Sequence, residues 1–129
     1  MSRIESDSFG FETAAAASAS PEEWNRALSY LRKYAENSLA YLALEPDKEW
    51  LFSENPEGMV SFARSGHTIV VCGDPICAAD SFPKMLSMLR SFSAAERKHL
   101  VFLMTNETHI PEYQAEGLGC FKCGEEAVF

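Results

Sequence analysis

The fold is decided by residues 59–75, which read MVSFARSGHTIVVCGDP. Apolar residues dominate on both sides of Ser65-Gly66, and a two-residue connection that contains glycine is typical of an antiparallel hairpin. We therefore expect paired strands over residues 59–64 and 67–72. The stretch ends on Gly73-Asp74-Pro75, where glycine and proline together predict a turn.

Helices and strands alternate after this turn. A helix is predicted over residues 81–92, because five apolar residues recur at steps of three and four: Phe82, Met85, Leu86, Leu89 and Phe92. Residues 99–104 are continuously apolar, as in a central strand covered on both faces, and they follow a helix as a parallel crossover strand would. We therefore expect this strand to lie mid-sheet. A short helix from Pro111 to Gly117 and strand segments over 118–123 and 126–129 complete the chain.

The segment before the hairpin predicts one helix and two short strands. Ser20 is placed as an N-cap, with Glu23 completing a capping box, and helical spacing of apolar residues continues to about Ala35. Residues 39–42 and 49–52 read as short strands on either side of a turn.

The chain therefore divides into a tail and one domain. Residues 1–20 show no such pattern, so we expect a disordered tail at 1–20 and a single α/β domain at 21–129.

Composition limits the partners of this domain. The 129 residues are 47% apolar and include nine phenylalanines, enough for one ordinary core. The formal net charge of -8 argues against direct binding of nucleic acid or of an anionic lipid surface. The apolar runs fall far short of the roughly 20 residues that span a bilayer, and the N-terminus is unlike a secretory signal. We expect a cytoplasmic domain.

Four cysteines leave two readings open. Cys72, Cys77, Cys120 and Cys123 could in principle hold zinc. Cys120 and Cys123 are predicted to lie on a strand, however, where side chains three residues apart point to opposite faces. We therefore expect buried thiols and no metal site.

Two signatures resemble a known family. The family is that of the cytosolic aminoacyl-transfer domain of phosphatidylglycerol lysyltransferases. Val70 to Pro75 resembles its Gly-Asp-Pro turn. Residues 121–127, FKCGEEA, resemble its Lys-x-Gly-Glu-Glu-Ala strand. Residues 37–44, NSLAYLAL, followed by Asp47-Lys48 and residues 50–52, resemble that family's opening strands. The resemblance covers the chain from about Ala35 onward.

This resemblance implies an acetyltransferase-like (GNAT-like) fold, a mixed sheet flanked by helices, in which this chain is the N-terminal half of a tandem module. The complete module transfers an aminoacyl group from aminoacyl-tRNA to a membrane lipid, without a cofactor. The resemblance implies a second GNAT-like half as partner, in cis or in trans, with tRNA and phospholipid engaged only through the complete module. It also implies a location at the inner face of the plasma membrane through other segments.

The chain is expected to be truncated and non-catalytic by itself. Residues 125–129 end on an apolar run in what should be mid-strand. The alternatives are a non-catalytic interaction domain and a small-molecule N-acyltransferase. A coenzyme A site needs free backbone amides in a Gly-rich loop at a helix N-terminus. Residues 73–79 offer one glycine, a proline without an N–H group and an acidic side chain, which disfavours coenzyme A.

Candidate site residues can be named although the catalytic residues remain unknown. Asp74, Glu125 and Glu126 are candidates for a substrate cleft, with capping of the turn as the alternative for Asp74 and a solvated strand end for the two glutamates. Lys48 and Lys122 are candidate phosphate contacts or solvated lysines. The histidines, His67, His99 and His109, show no metal or nucleophile-base spacing and are predicted to be boundary residues.

Overall fold

The computed structural model describes residues 10–35, 38–103, 105–117, 121–123 and 126–128, with the backbone alone for the last two ranges. The strands and helices, in chain order, are β1 Glu12–Ala15, α1 Pro21–Tyr34, β2 Glu49–Glu54, β3 Glu57–Ser65, β4 Thr68–Cys72, β5 Ile76–Cys77, α2 Phe82–Ala95, β6 His99–Leu103, α3 Ile110–Ala115, β7 Phe121–Cys123 and β8 Glu126–Val128. Short 3-10 helices cover Ala16–Ser18, Ser38–Leu44, Ala79–Ser81 and Glu107–His109.

A mixed sheet organises the molecule, as predicted. Its strand order is β1-β2-β3-β4-β6, and β5 pairs with β3 beyond the end of β4. All neighbours are antiparallel except β4 and β6, which run parallel. The β3–β4 hairpin is confirmed, although its two-residue connection is Gly66-His67 and not Ser65-Gly66, because Ser65 pairs with Thr68. The parallel strand that follows α2 is confirmed as well. Strands β7 and β8 form a separate antiparallel pair, and β8 approaches β6.

Each face of the sheet carries its own apolar core. On one face, Phe62, Ile69, Val71 and Phe102 pack with α2 and with Tyr113 of α3. On the other face, strand residues pack with Ala27, Tyr30 and Leu31 of α1: Trp50, Phe52, Met59 and Ile76. We call these the α2 face and the α1 face. Burial of these side chains on both faces is the main stabilising term of such a domain.

Helix α1 begins where the sequence predicts. The Ser20 hydroxyl accepts a hydrogen bond from the Glu23 amide at 3.1 Å, and the Ser20 amide donates to Glu23 Oε1 at 2.8 Å. Both bonds of a capping box are therefore present, and they satisfy two amides that a helix start leaves without partners.

Two predictions at the N-terminal side are wrong. Residues 39–42 lie in the 3-10 helix Ser38–Leu44, because the sheet position next to β2 is taken by β1. The carbonyl of Ala43 instead accepts hydrogen bonds from Trp50 Nε1 at 2.7 Å and from Ser61 Oγ at 3.4 Å, which fixes this helix to the α1 face.

The predicted tail is also shorter than expected. Of residues 1–20, those from Gly10 onward are ordered: Phe11 is buried in the α2-face core, and Glu12 to Ala15 form β1. Pairing with β2 overrides the weak strand propensity of this alanine-rich stretch. Residues 1–9 lie outside the described part of the chain.

The position of β6 differs from the prediction of a mid-sheet strand. Within the described residues, β6 is the last strand of the large sheet. Phe102 is fully buried, whereas Val101 and Leu103, which point to the opposite face, are half-buried. The continuous apolar run at residues 99–104 is therefore not equally buried on the two faces of β6.

Candidate functional site

The turn Gly73-Asp74-Pro75 lies at the carboxyl ends of the parallel strands β4 and β6, the edge where α/β sheets usually bind ligands. Between the pairs Phe62–Val71 and Met59–Ile76, β3 advances three residues while the opposing strand advances five. The turn is therefore a two-residue insertion between β4 and β5. Gly73 adopts a φ of 87°, which favours glycine, and its amide donates to the Leu103 carbonyl at 2.7 Å.

Asp74 is held by two donors from the polypeptide after β6. Its Oδ1 accepts a hydrogen bond from the Tyr113 hydroxyl at 2.6 Å. Its Oδ2 accepts one from the backbone amide of Asn106 at 2.9 Å. The carboxylate thus joins the turn to α3 and to the loop that follows β6.

Tyr113 supplies the more deeply buried end of this contact. Its side chain is 0% exposed, with ring centroids 4.8 Å from Phe102 and 5.6 Å from Phe82. Burial, and then the charge and hydrogen bond of Asp74, raise the pKa of the Tyr113 hydroxyl well above its ordinary value. The hydroxyl therefore stays protonated and acts as a fixed donor to Asp74.

Further polar groups surround the same edge. The His109 ring is buried and stacks on Phe82 at 4.1 Å, and its Nδ1 lies 3.8 Å from Glu112 Oε1. That carboxylate oxygen and Thr105 Oγ1 are buried, and neither has a hydrogen-bond partner among the described residues. The edge is polar and closely packed. His109, predicted as a boundary residue, belongs to its interior, whereas His67 is exposed in the turn before β4 and His99 is exposed at the start of β6.

The position that cradles a coenzyme A pyrophosphate in an acetyltransferase is filled by the chain's own groups. The Gly73 amide is bonded to Leu103, and the Ser81 amide donates to the Ala78 carbonyl at 2.9 Å before α2 begins. Pro75 has no amide hydrogen, and Asp74 places a carboxylate in the turn. A pyrophosphate would meet the Asp74 carboxylate, a like charge, and the amides of Gly73 and Ser81, which are already bonded.

Lys48 lies in the turn before β2 and is not solvated. The residue is 7% exposed, and its Nζ pairs with Asp47 Oδ1 at 2.7 Å and Glu45 Oε1 at 3.0 Å. Burial lowers the pKa of Lys48, but the two carboxylates outweigh this effect and raise it overall. A phosphate would have to displace both carboxylates, so the geometry favours a structural role.

The remaining candidates cannot be placed as side chains. Lys122 lies in β7 and Glu126 begins β8, for which the backbone alone is described, and Glu125 lies outside the described residues. Cys72 and Cys77 are half-buried and are not joined in a disulfide, whereas the side chains of Cys120 and Cys123 are not described. Within the described ranges, no three potential ligand side chains are grouped to hold a metal ion.

Sequence reasoning identified Asp74 but missed its partners. The sequence did not single out Tyr113 or Asn106, and His109 is predicted only as a boundary residue. One signal was available: carboxyl ends of parallel strands meet at one edge, which brings the loop after β6 to the turn after β4.

The comparisons with known proteins agree with this geometry. The family model described as "Phosphatidylglycerol lysyltransferase, C-terminal" matches residues 28–129. A phosphatidylglycerol lysyltransferase of Staphylococcus epidermidis is 31% identical over 98 residues, which are 76% of this chain and 12% of that protein. One from Staphylococcus aureus is 26% identical over the same coverage.

Two solved structures share the fold. L-PGS from Bacillus licheniformis superposes with a TM-score of 0.71 at 24% identity, over 86% of this chain and 33% of that one. The C-terminal domain of a putative lysylphosphatidylglycerol synthetase from Agrobacterium fabrum gives 0.70 at 20% identity, over 78% of this chain and 32% of that one. The chain thus spans about an eighth of the curated relatives and a third of the solved ones.

The fold and the turn define a GNAT-like α/β domain, a mixed sheet flanked by helices, with the Asp74 carboxylate bonded at the edge where β4 and β6 end. With the family match over residues 28–129, the chain belongs to the phosphatidylglycerol lysyltransferase C-terminal domain family. In the described part of the chain, no helix combines the length and the apolar character needed to cross a bilayer.

Proposed function

We propose that this chain is the N-terminal GNAT-like half of a module that transfers an aminoacyl group from aminoacyl-tRNA to a membrane lipid. In this proposal the chain shapes one side of the module and is not catalytic alone. A second GNAT-like half, in cis or in trans, completes the module. Aminoacyl-tRNA and phospholipid bind only to the complete module, which works at the inner face of the plasma membrane.

The family match over residues 28–129 carries this proposal. The closed turn supports the non-catalytic role, because Asp74 is bonded to Tyr113 and Asn106 and its carboxylate is committed to internal contacts. Asp74, Glu125 and Glu126 remain proposed contributors to the substrate cleft, and Lys48 and Lys122 proposed phosphate contacts. Of these, Lys48 receives the least support because it is buried between two carboxylates.

The closed turn also bears on the two alternatives. It disfavours a small-molecule N-acyltransferase, which needs an open pyrophosphate cradle. It is compatible with an interaction domain, since such a domain needs only a stable fold and a docking surface.

Domain replacement tests the proposed function. The third of the B. licheniformis L-PGS chain that this chain matches is exchanged for residues 10–129, giving what we call the replacement protein. We expect it to transfer lysine from lysyl-tRNA to phosphatidylglycerol in vesicles, whereas the 129-residue chain alone gives no lipid product. Radiolabelled lysine in extracted lipid is the measurement. A folded replacement protein without transfer would contradict the proposal, and transfer by the chain alone would contradict the non-catalytic role.

A further inference from the structure

The two faces of the β4–β6 pair are covered unequally. On the α2 face, Ile69, Val71 and Phe102 are fully buried under α2 and α3. The residues between them alternate to the α1 face: Val70, Cys72, Val101 and Leu103. We call these four residues the open patch. All four are half-buried, and none of them joins either apolar core of the described residues.

The open patch is continuous across the two strands. The register places Val70 beside Val101 and Cys72 beside Leu103. Ala63 of β3, which pairs with Val70 and is also half-buried, extends the patch by one strand. Five neighbouring apolar side chains therefore line one face of the sheet without being part of a core.

The element order explains why this face is open. On the α1 side, one helix and the 3-10 helix Ser38–Leu44 cover the sheet. The core that they form contains Trp50 and Ile76 but no described residue of β4 or β6. Parallel strand pairs in α/β domains are normally covered on both faces. One layer over β4 and β6 is therefore missing from the described part of the chain.

The charges beside the patch indicate what kind of surface fits it. Lys48, Asp47 and Glu45 all lie close enough to Cys72 for their charges to act on its thiol, and of these three side chains only the two carboxylates are exposed. Lys48 balances only one of these two charges, and the chain as a whole has a net charge of -8. A second copy of this chain would bring like charges together at the patch. A partner surface with an apolar centre and a basic rim would be complementary to it.

We propose that the open patch is the docking surface for the second part of the family's longer chains, which meets it with an apolar centre and a basic rim. The solved relative is three times as long as the region matched here, so such polypeptide accompanies this fold in that protein. The inference rests on the proposed function in assuming a two-part module, and it adds which surface of this half makes the contact.

Cys72 provides a reporter within the patch. Its thiol is free and half-buried, and burial raises its pKa, so alkylation is measured at pH 8.5 by mass spectrometry of its peptide. Cys77, which packs against the α2-face core, is the comparison within the same chain. We expect Cys72 to react at least tenfold more slowly in the replacement protein than in the isolated chain, with the Cys77 rate unchanged.

Substitutions assign the protection to the patch. Val101→Lys should restore the Cys72 rate in the replacement protein, and Val70→Lys serves if the first variant fails to fold. The matched control, Ser87→Lys on the exposed side of α2, should leave protection intact. If the replacement protein does not unfold as one unit, the two parts are coexpressed as separate chains, and failure to copurify overturns the inference.

The outcomes separate this inference from the proposed function. Equal Cys72 rates in the isolated chain and in a folded replacement protein overturn the docking surface, even when lysine transfer occurs. Protection that Val101→Lys abolishes supports it, even when transfer fails. An isolated chain that sediments as a dimer with Cys72 already protected also overturns it, because the occupant is then a second copy.

Discussion

Asp74 connects two distant parts of the sequence through one side chain. Its carboxylate accepts hydrogen bonds from Tyr113 and Asn106, 39 and 32 residues further along the chain. Hydrogen bonds to a charged acceptor contribute about 1.5–3 kcal/mol each. A residue that the sequence marked as a candidate for substrate contact is thus one of the stabilising contacts at this edge.

Removal of this carboxylate should destabilise the domain. Asp74→Ala leaves the buried Tyr113 hydroxyl without this acceptor, and we expect a loss of about 2–3 kcal/mol in the free energy of unfolding. Urea denaturation followed by tryptophan fluorescence measures it. Asp80→Ala, at an exposed position of the 3-10 helix Ala79–Ser81, is the matched control and should leave the midpoint unchanged. Equal stability of the two variants would contradict the role assigned to Asp74.

Tyr113 predicts how stability depends on pH. Its pKa is raised from 10.0 in the folded state, mainly by burial, so above pH 10 the unfolded chain releases this proton while the folded chain retains it. Stability should therefore fall as pH rises above 10, by up to about 1.4 kcal/mol per pH unit from this group.

The variant Tyr113→Phe isolates this contribution. It should be less stable than the parent at pH 8, because Asp74 loses a donor, and the difference should shrink between pH 10 and 11. Urea midpoints over this pH range provide the measurement. A difference that stays constant with pH would show that Tyr113 does not hold its proton more tightly in the folded state.

At the scale of elements, β3 and β5 approach closely at Gly58. A Cβ on this residue would lie 2.7 Å from Cys77 Cβ and 2.8 Å from the Ile76 carbonyl oxygen. The backbone oxygen cannot move aside without disturbing the β3–β5 pairing. Gly58 is therefore required by this close contact.

Gly58→Ala should cost about 2–3 kcal/mol in stability by overpacking. Gly66→Ala is the comparison, since Gly66 has open space around it and a φ of 59°, and should cost about 1 kcal/mol from backbone strain alone. Thermal unfolding of both variants decides between steric and conformational causes. A larger loss for Gly66→Ala would contradict the close approach.

The capping box offers a second prediction at this scale. Ser20→Ala removes the acceptor of the Glu23 amide and should lower stability by about 1 kcal/mol. The control Ser29→Ala lies on the exposed side of α1. Circular dichroism during thermal unfolding should show a lower midpoint for Ser20→Ala alone.

Local signals predicted some elements and not others. Ser20 to Glu23 specify their helix start through contacts within four residues. The glycine between β3 and β4 likewise marks a two-residue hairpin connection, which the structure places at Gly66-His67. The secondary structure of residues 39–42 and of residues 12–15 was not predictable in this way. It depends on which of the two segments pairs with the edge of β2, and no local sequence pattern describes that competition. The partners of Asp74 were likewise beyond local reach, because they lie more than 30 residues away in sequence.

At the scale of the whole molecule, the filled turn predicts the response to coenzyme A. We expect acetyl-coenzyme A at millimolar concentration to leave the melting temperature of the chain unchanged, since its pyrophosphate would meet Asp74 and bonded amides. Differential scanning fluorimetry measures this. A melting temperature that rises and then saturates with acetyl-coenzyme A concentration would instead support the small-molecule N-acyltransferase function.

The two-residue insertion between β4 and β5 has a consequence for how this turn can change in length. Since side chains alternate along a strand, an even number of added residues leaves Ile76 directed at α1 and Cys77 at α2. A single-residue deletion would exchange them, placing a thiol among the aromatics around Trp50 and an isoleucine on the opposite side. The turn can therefore gain or lose residues in pairs. A change by one residue would exchange the side chains that β5 directs at the α1 face and at the α2 face.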